Sequence, residues 1–337
     1  MRRRTLLTGS AATAVAAANL LPSGGFAQAK TQTVNLQLGW LASNNNIGEI
    51  AAKHMGYFEE EKLNVVIQPG GPSIDGVAIV ASGRHEIGQV SSSPSLMLAA
   101  SQKIPVKCFA TVLQQHPYTF FSLEKKPIRK PQDMVGKKIG IQATGKILLS
   151  ALLKKHNIPE KDVEVVVIGS DFAPLLTGQT DAVTGWLTST TAIKGLGQPP
   201  VTLRLWDAGV QLYALPLYAT RDTLEKKPAM LAGFLRGLAR GYEYTQKNPE
   251  KAVDLLVKEY PNFKRADELE GVKVLLSFAF NDNTKANGWG AFDPKVWQDQ
   301  ITLYDELKQF TAGAPKLDDV ITTSILDATK DARAKIG

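Results

Sequence analysis

Residues 82–94 read Ser82-Gly83-Arg84-His85-Glu86-Ile87-Gly88-Gln89-Val90-Ser91-Ser92-Ser93-Pro94, and the first six recur 95 positions on as Thr177-Gly178-Gln179-Thr180-Asp181-Ala182. Both copies run small residue, glycine, two variable residues, acid, small apolar residue. Each follows a helical stretch and leads into a short apolar run. Aligned this way, Ser91 falls opposite Trp186 and Ser93 opposite Thr188. Two copies of one helix-to-strand register predict two related lobes rather than one continuous sheet. The other reading is a chance likeness between two ordinary turns.

The rest of the chain decides in favour of an α/β fold, because short apolar strands alternate with helical segments from Thr33 onward. The pattern predicts strands at Val34–Leu38, Val65–Gln68, Glu86–Val90, Val106–Leu113 and Tyr118–Leu123. Helices are expected between them at Ile47–Glu61, Ile74–Ser82 and Pro94–Ser101. A second series follows, with strands at Lys138–Gln142, Val163–Ile168, Ala182–Leu187 and Leu203–Trp206, and helices at Lys146–Lys155, Pro174–Gly178 and Thr190–Gly195. After Tyr213–Thr220 only long amphipathic helices are expected, the last over Asp318–Ala332. Residues 30–114 and 214–337 then form one lobe and 115–213 the other, with crossings near Leu113–Tyr118 and Asp207–Tyr213.

In open parallel sheets ligands bind outside the carboxyl ends of the strands. Gly39-Trp40 and the run Asn44-Asn45-Asn46 follow the first strand. Trp40 offers a flat stacking face and Asn45 an amide; the amides could instead cap the next helix. Ser91 and Ser92 stand at a helix start, where hydroxyls hold a polar ligand edge or cap the helix. Thr144, Trp186 and Thr188 occupy the corresponding ends in the second series, so Trp186 and Trp40 would clamp a flat ring from opposite lobes. His116 and Tyr118 lie in the first crossing and Tyr213 in the second, with core packing as the alternative for Tyr213. Gly70-Gly71-Pro72 would let backbone approach a ligand closely.

Composition excludes several classes. The chain has no Gly-x-Ser-x-Gly, Walker loop or His-Glu-x-x-His, and its four histidines have no metal-ligand spacing, so no catalytic residue, metal or cofactor is expected. Cys108 is the single cysteine and reads as a small buried hydrophobe; Trp289, Trp297 and Tyr304 read as core. Residues 1–29 read as an export signal, with Arg2-Arg3-Arg4 before a weakly apolar segment and Ala27-Gln28-Ala29 as a cleavage site. The arginines suggest the twin-arginine route; a general secretory signal is the alternative. Cleavage after Ala29 removes three arginines and no acids, lowering the net charge from +7 to +4. No basic run with interleaved aromatics supports nucleic-acid binding. No cysteine follows the signal to carry a lipid, so a free periplasmic monomer is expected.

Leu38-Gly39-Trp40 with Asn44–Asn46, Gly56-Tyr57-Phe58, the segment from Ser82-Gly83 to Ser93, Asp133-Met134-Val135-Gly136-Lys137-Lys138-Ile139-Gly140 and Gly185-Trp186 together resemble the thiamine-pyrimidine-precursor family of solute-binding proteins. That family is similar to binding proteins for sulfonates, taurine and nitrate. The resemblance spans Thr33–Pro261. It implies a two-lobed periplasmic-binding fold of the second type with two crossings, and an ABC-importer permease as partner. The eukaryotic relatives that synthesise the thiamine pyrimidine carry a cysteine-rich motif, which this chain lacks. The leading expectation is therefore a non-catalytic binder of a small planar heterocycle, such as a formylated aminopyrimidine. A sulfonate, an aromatic acid or riboflavin is the alternative ligand, and a periplasmic enzyme on the same fold is the alternative class.

Overall fold

The computed structural model describes residues 31–333 other than residue 72, so the expected export signal and Pro72 lie outside the described residues. Among the described residues ten strands form in chain order: β1 (Gln32–Gln37), β2 (Leu63–Gln68), β3 (Ile87–Gln89), β4 (Val106–Leu113), β5 (Tyr118–Ser122), β6 (Lys138–Ile141), β7 (Glu164–Val167), β8 (Ala182–Trp186), β9 (Val201–Arg204) and β10 (Ala214–Thr220). They assemble into two five-stranded sheets of order β2-β1-β3-β10-β4 and β7-β6-β8-β5-β9. β1 pairs in parallel with β2 and β3, as β6 does with β7 and β8. The fourth strand of each sheet, β10 or β5, runs antiparallel to its neighbours.

The repeated hexapeptide explains this symmetry. β3 and β8, which follow its two copies, hold the same third place in their sheets. Gly83 and Gly178 both take left-handed backbone, at φ +77° and +75°, where a side chain on the main chain is disfavoured. The chain passes between the sheets at residues 114–117 and again at 205–213, so β5 and β10 each follow a crossing. This is the α/β, two-crossing arrangement that the sequence leads one to expect.

The Pro228–Lys247 helix presents Leu231, Phe234, Leu235, Leu238 and Tyr242 to the core at helical spacing. It lies so close to the Ile47–His54 helix that a Cβ on Gly241 would stand 2.2 Å from the Gly48 carbonyl oxygen. The expected helix over Ile47–Glu61 breaks at Gly56, whose φ of +75° starts the separate turn Tyr57–Glu60. The expected final helix is also broken, into Leu317–Val320 and Ser324–Ala328. Ile321 leaves it to bridge Cys108 on edge strand β4, and the Thr322 N–H donates to the Cys108 carbonyl at 2.9 Å.

A cavity between an amide wall and an aromatic wall

A cavity of about 730 Å³ opens at the carboxyl ends of the parallel strands of both sheets. Its size lies within the range of small-molecule sites. Nine of the ten candidate residues line it: Trp40, Asn45, Ser91, Ser92, His116, Tyr118, Thr144, Trp186 and Thr188. Tyr213 does not. Its ring is buried against Trp297, 5.9 Å between centroids, and its hydroxyl accepts from the Asp293 N–H at 2.7 Å. The core alternative is the one the structure has.

Close backbone packing positions the first wall. A Cβ on Gly39 would stand 2.7 Å from the Gln89 carbonyl oxygen, and one on Gly70 2.3 Å from that of Leu38. The Gly70 N–H donates to the Trp40 carbonyl at 2.9 Å, so the glycines serve main-chain contact that fixes the Trp40 loop. Trp40 itself remains 37 % exposed at the cavity mouth.

The three asparagines that follow divide the work. Asn44 Nδ2 donates to the Thr188 carbonyl at 3.1 Å and so ties the first wall to the second. Gly271 makes room for this junction, since a Cβ there would lie 2.3 Å from Asn44 Nδ2. Asn46 Oδ1 accepts from the Ser43 N–H at 3.3 Å as a reciprocal cap, and its Nδ2 donates to Gln89 Oε1 at 3.2 Å. Capping thus falls to Ser43 and Asn46. Asn45 donates through Nδ2 to Ser43 Oγ at 3.1 Å, and its buried Oδ1 has no partner.

At the end of β3, Ser93 does not cap the following helix, because its hydroxyl donates to Gln300 Oε1. Ser92 Oγ lies buried beside it without a partner.

The second wall is aromatic. His116 packs edge-on against Trp186 at 5.2 Å and against Tyr118 at 6.0 Å between ring centroids. The Tyr118 N–H donates to His116 Nδ1 at 3.2 Å, which leaves Nε2 to carry the proton of the neutral ring. Burial pushes the His116 pKa down to about 3, so the ring is a neutral donor across the physiological range. The preceding Gln114 and Gln115 are already engaged, with the Ala291 carbonyl and with Arg204 respectively. Gly145 lets the Tyr118 hydroxyl approach the 143–145 turn, where a Cβ would stand 2.3 Å from it.

Polar atoms of Asn45, Ser92, His116, Tyr118 and Thr188 are buried here without partners. Unpaired buried polar groups are costly, and five of them around one cavity suit a ligand with several donors and acceptors. No Lys or Arg lines the cavity among the described residues, and its acids are Asp75 and Glu268.

The sequence reading missed Gln89, Phe172, Phe263 and Glu268, which also line the cavity. Gln89 had a signal, being a polar residue inside a short apolar strand beside Gly88, whose place is taken by the Tyr218 ring. Phe172 lies in a loop with no pattern to mark it; it sits against Gly185, where a Cβ would come within 2.8 Å of its ring.

Comparison with known proteins bears on this arrangement. Along 26 % identity over 285 residues, 81 % of this chain and 85 % of the other, the chain is similar to the formylaminopyrimidine-binding protein of Halalkalibacterium halodurans. It is also 26 % identical, over 68 % of its length and 75 % of the other's, to the 4-amino-5-hydroxymethyl-2-methylpyrimidine phosphate synthase of Legionella pneumophila. That relative is bacterial, so the synthases are not confined to eukaryotes. The periplasmic aliphatic sulphonate binding protein SsuA of Escherichia coli superposes with a TM-score of 0.64 at 17 % identity, over 86 % of this chain and 92 % of that one, which shows a shared fold. The profile described as NMT1/THI5 like matches residues 43–252, well over half of the sequence, and the chain belongs to that family.

Proposed function

We propose that the protein is the periplasmic solute-binding component of an ABC importer, and that it binds an uncharged planar nitrogen heterocycle, such as a formylated aminopyrimidine, between its lobes. The observation that carries this reading is the cavity lining, which joins unpaired neutral donors and acceptors to two tryptophans and contains no Lys or Arg among the described residues. A sulfonate or aromatic acid would lose its hydration with no cation to replace it, which costs several kcal/mol. Residues 30–114 with 214–337 would act as one lobe and 115–213 as the other, closing on the ligand and presenting it to the permease as a monomer. Trp40, Asn45, Ser91, Ser92, His116, Tyr118, Thr144, Trp186 and Thr188 are the proposed contacts.

Cys108 and His116 favour binding over catalysis. Burial pushes the Cys108 thiol up to about 12, and this cysteine sits inside β4, away from the cavity. His116 stays neutral and is a poor base near pH 7.

Mass spectrometry of small molecules released from natively purified protein, followed by calorimetry, tests the proposal. An aminopyrimidine should bind and an alkanesulfonate should not. Tight binding of the sulfonate would overturn the ligand assignment, and release of riboflavin would replace the aminopyrimidine within the same ligand class. Formation of a hydroxymethylpyrimidine phosphate by the purified protein would return it to the enzymes of its family.

A further inference from the structure

Glu49 is fully buried in the first turn of the Ile47–His54 helix, one layer behind the amide wall. Its Oε1 accepts from Gln89 Nε2 at 2.8 Å, and Gln89 Oε1 in turn accepts from Asn46. On the other side stands the Tyr242 hydroxyl, 3.4 Å from Glu49 Oε2 and 3.2 Å from the Asn45 carbonyl. Tyr242 comes from the Pro228–Lys247 helix, and Tyr260, after Pro249–Glu259, is the other titratable group that senses the Glu49 charge. Strand β3 and the 44–46 turn present amides to it. Lys53 and His54, on its own helix, are engaged with Glu259 instead.

A phenol has one proton, so Tyr242 can serve only one of its two acceptors well. When Glu49 is protonated, its Oε2–H donates to Tyr242 and Tyr242 donates to the Asn45 carbonyl, while Oε1 still accepts from Gln89. Every proton then has a place. When Glu49 loses its proton, the phenol turns to the carboxylate and the Asn45 carbonyl loses its tie to the long helix. We propose that Glu49 is a proton-dependent positioning residue: its neutral form lets Tyr242 hold the Asn44–Asn46 turn against the cavity, and its ionised form releases that turn and weakens ligand binding. Burial without a neighbouring cation raises the Glu49 pKa from 4.5 to about 7, which brings the change into the neutral range. The effect on affinity rests on the cavity being the ligand site; the effect on the turn does not.

Amide hydrogen exchange of residues 44–47, read by NMR in the whole mature protein near pH 6 and near pH 8.5, tests the anchor. Glu49→Gln mimics the neutral acid, since its amide can accept from Gln89 and donate to Tyr242. Loss of one hydrogen bond should cut wild-type protection roughly two- to ten-fold at the higher pH, beyond the base catalysis common to both proteins. The Glu49→Gln protein should keep its protection, and Tyr242→Phe should lack it at both pH values. An equal change in wild type and Glu49→Gln, or full protection in Tyr242→Phe, would overturn the proposal. Calorimetry with a formylated aminopyrimidine should show a similar pH-dependent loss of affinity in wild type and none in Glu49→Gln, the probe's own titration being common to both. If the probe binds neither protein, the ligand assignment fails, while exchange still decides the anchor.

Discussion

The two walls of the cavity are built on one strand plan from opposite chemistry. The first sheet contributes Asn44–Asn46, Ser91, Ser92 and Gln89, and a chain of hydrogen bonds runs from Asn46 through Gln89 to Glu49. The second contributes Tyr118, Phe172 and Trp186, with His116 from the crossing. A shared arrangement of strands therefore leaves the chemistry free. Placement follows from the repeat, and the loops after the strands decide what each wall recognises. The first wall also depends on what stands behind it, because its turn packs on a helix seam that has no room for a Cβ.

That dependence gives the largest expected effect. Gly241→Ala should destabilise the protein by about 3 kcal/mol or more, since the added carbon meets the Gly48 carbonyl and the Ala52 backbone. Gly83→Ala, with open space around it, should cost only about 1 kcal/mol of backbone strain despite the same nominal change. Chemical denaturation of both variants checks the difference, and equal losses would show that the seam yields.

Next comes pH. The folded pKa of Glu49 lies above its ordinary value, so its contribution to stability is fully present below about pH 4.5 and is lost as pH rises to about 7. Glu49→Gln should therefore be more stable than wild type at pH 8, by at most about 3 kcal/mol, with the gap narrowing towards pH 5. A constant offset across that range would mean that the carboxyl does not titrate in the fold.

The walls should also differ in binding. Trp186→Ala removes a half-buried ring packed on His116 and should weaken ligand binding by about 2 kcal/mol. Trp40→Ala, at the exposed mouth, should cost about 1 kcal/mol or less. Calorimetry with circular dichroism as the folding control ranks the two; a larger loss for Trp40 would reverse the assignment of the aromatic wall.

How much of this could be read from the residues varies with the kind of signal. Pro94–Ser101, Val106–Leu113, Lys146–Lys155 and Pro228–Lys247 fall where periodicity and Pro placement put them. The fold class followed from alternating strands and helices, and the paired lobes from one six-residue pattern. The cavity positions followed from strand ends. What failed were features set by distant partners. The final helix breaks because Ile321 pairs with Cys108, more than two hundred residues away in sequence. Tyr213 turned inward because Trp297 and Asp293 meet it there. Glu49 carried a visible anomaly, an acid on the apolar face of a core helix, yet its partner Tyr242 belongs to a helix formed much later in the chain.

The order of strands has a consequence for synthesis. All five strands of the second sheet, β5–β9, are consecutive, so that sheet can close as soon as residue 204 has left the ribosome. The first sheet cannot. Strand β4 pairs with its own sheet only through β10, and its run of Val106, Cys108, Phe109, Ala110, Val112 and Leu113 emerges about a hundred residues before that partner. During that interval an apolar strand has both edges open, which is the kind of segment that recruits holding chaperones or aggregates. The late strand β10 thus closes one edge of β4, and Ile321 covers part of the other only when almost the whole chain has emerged.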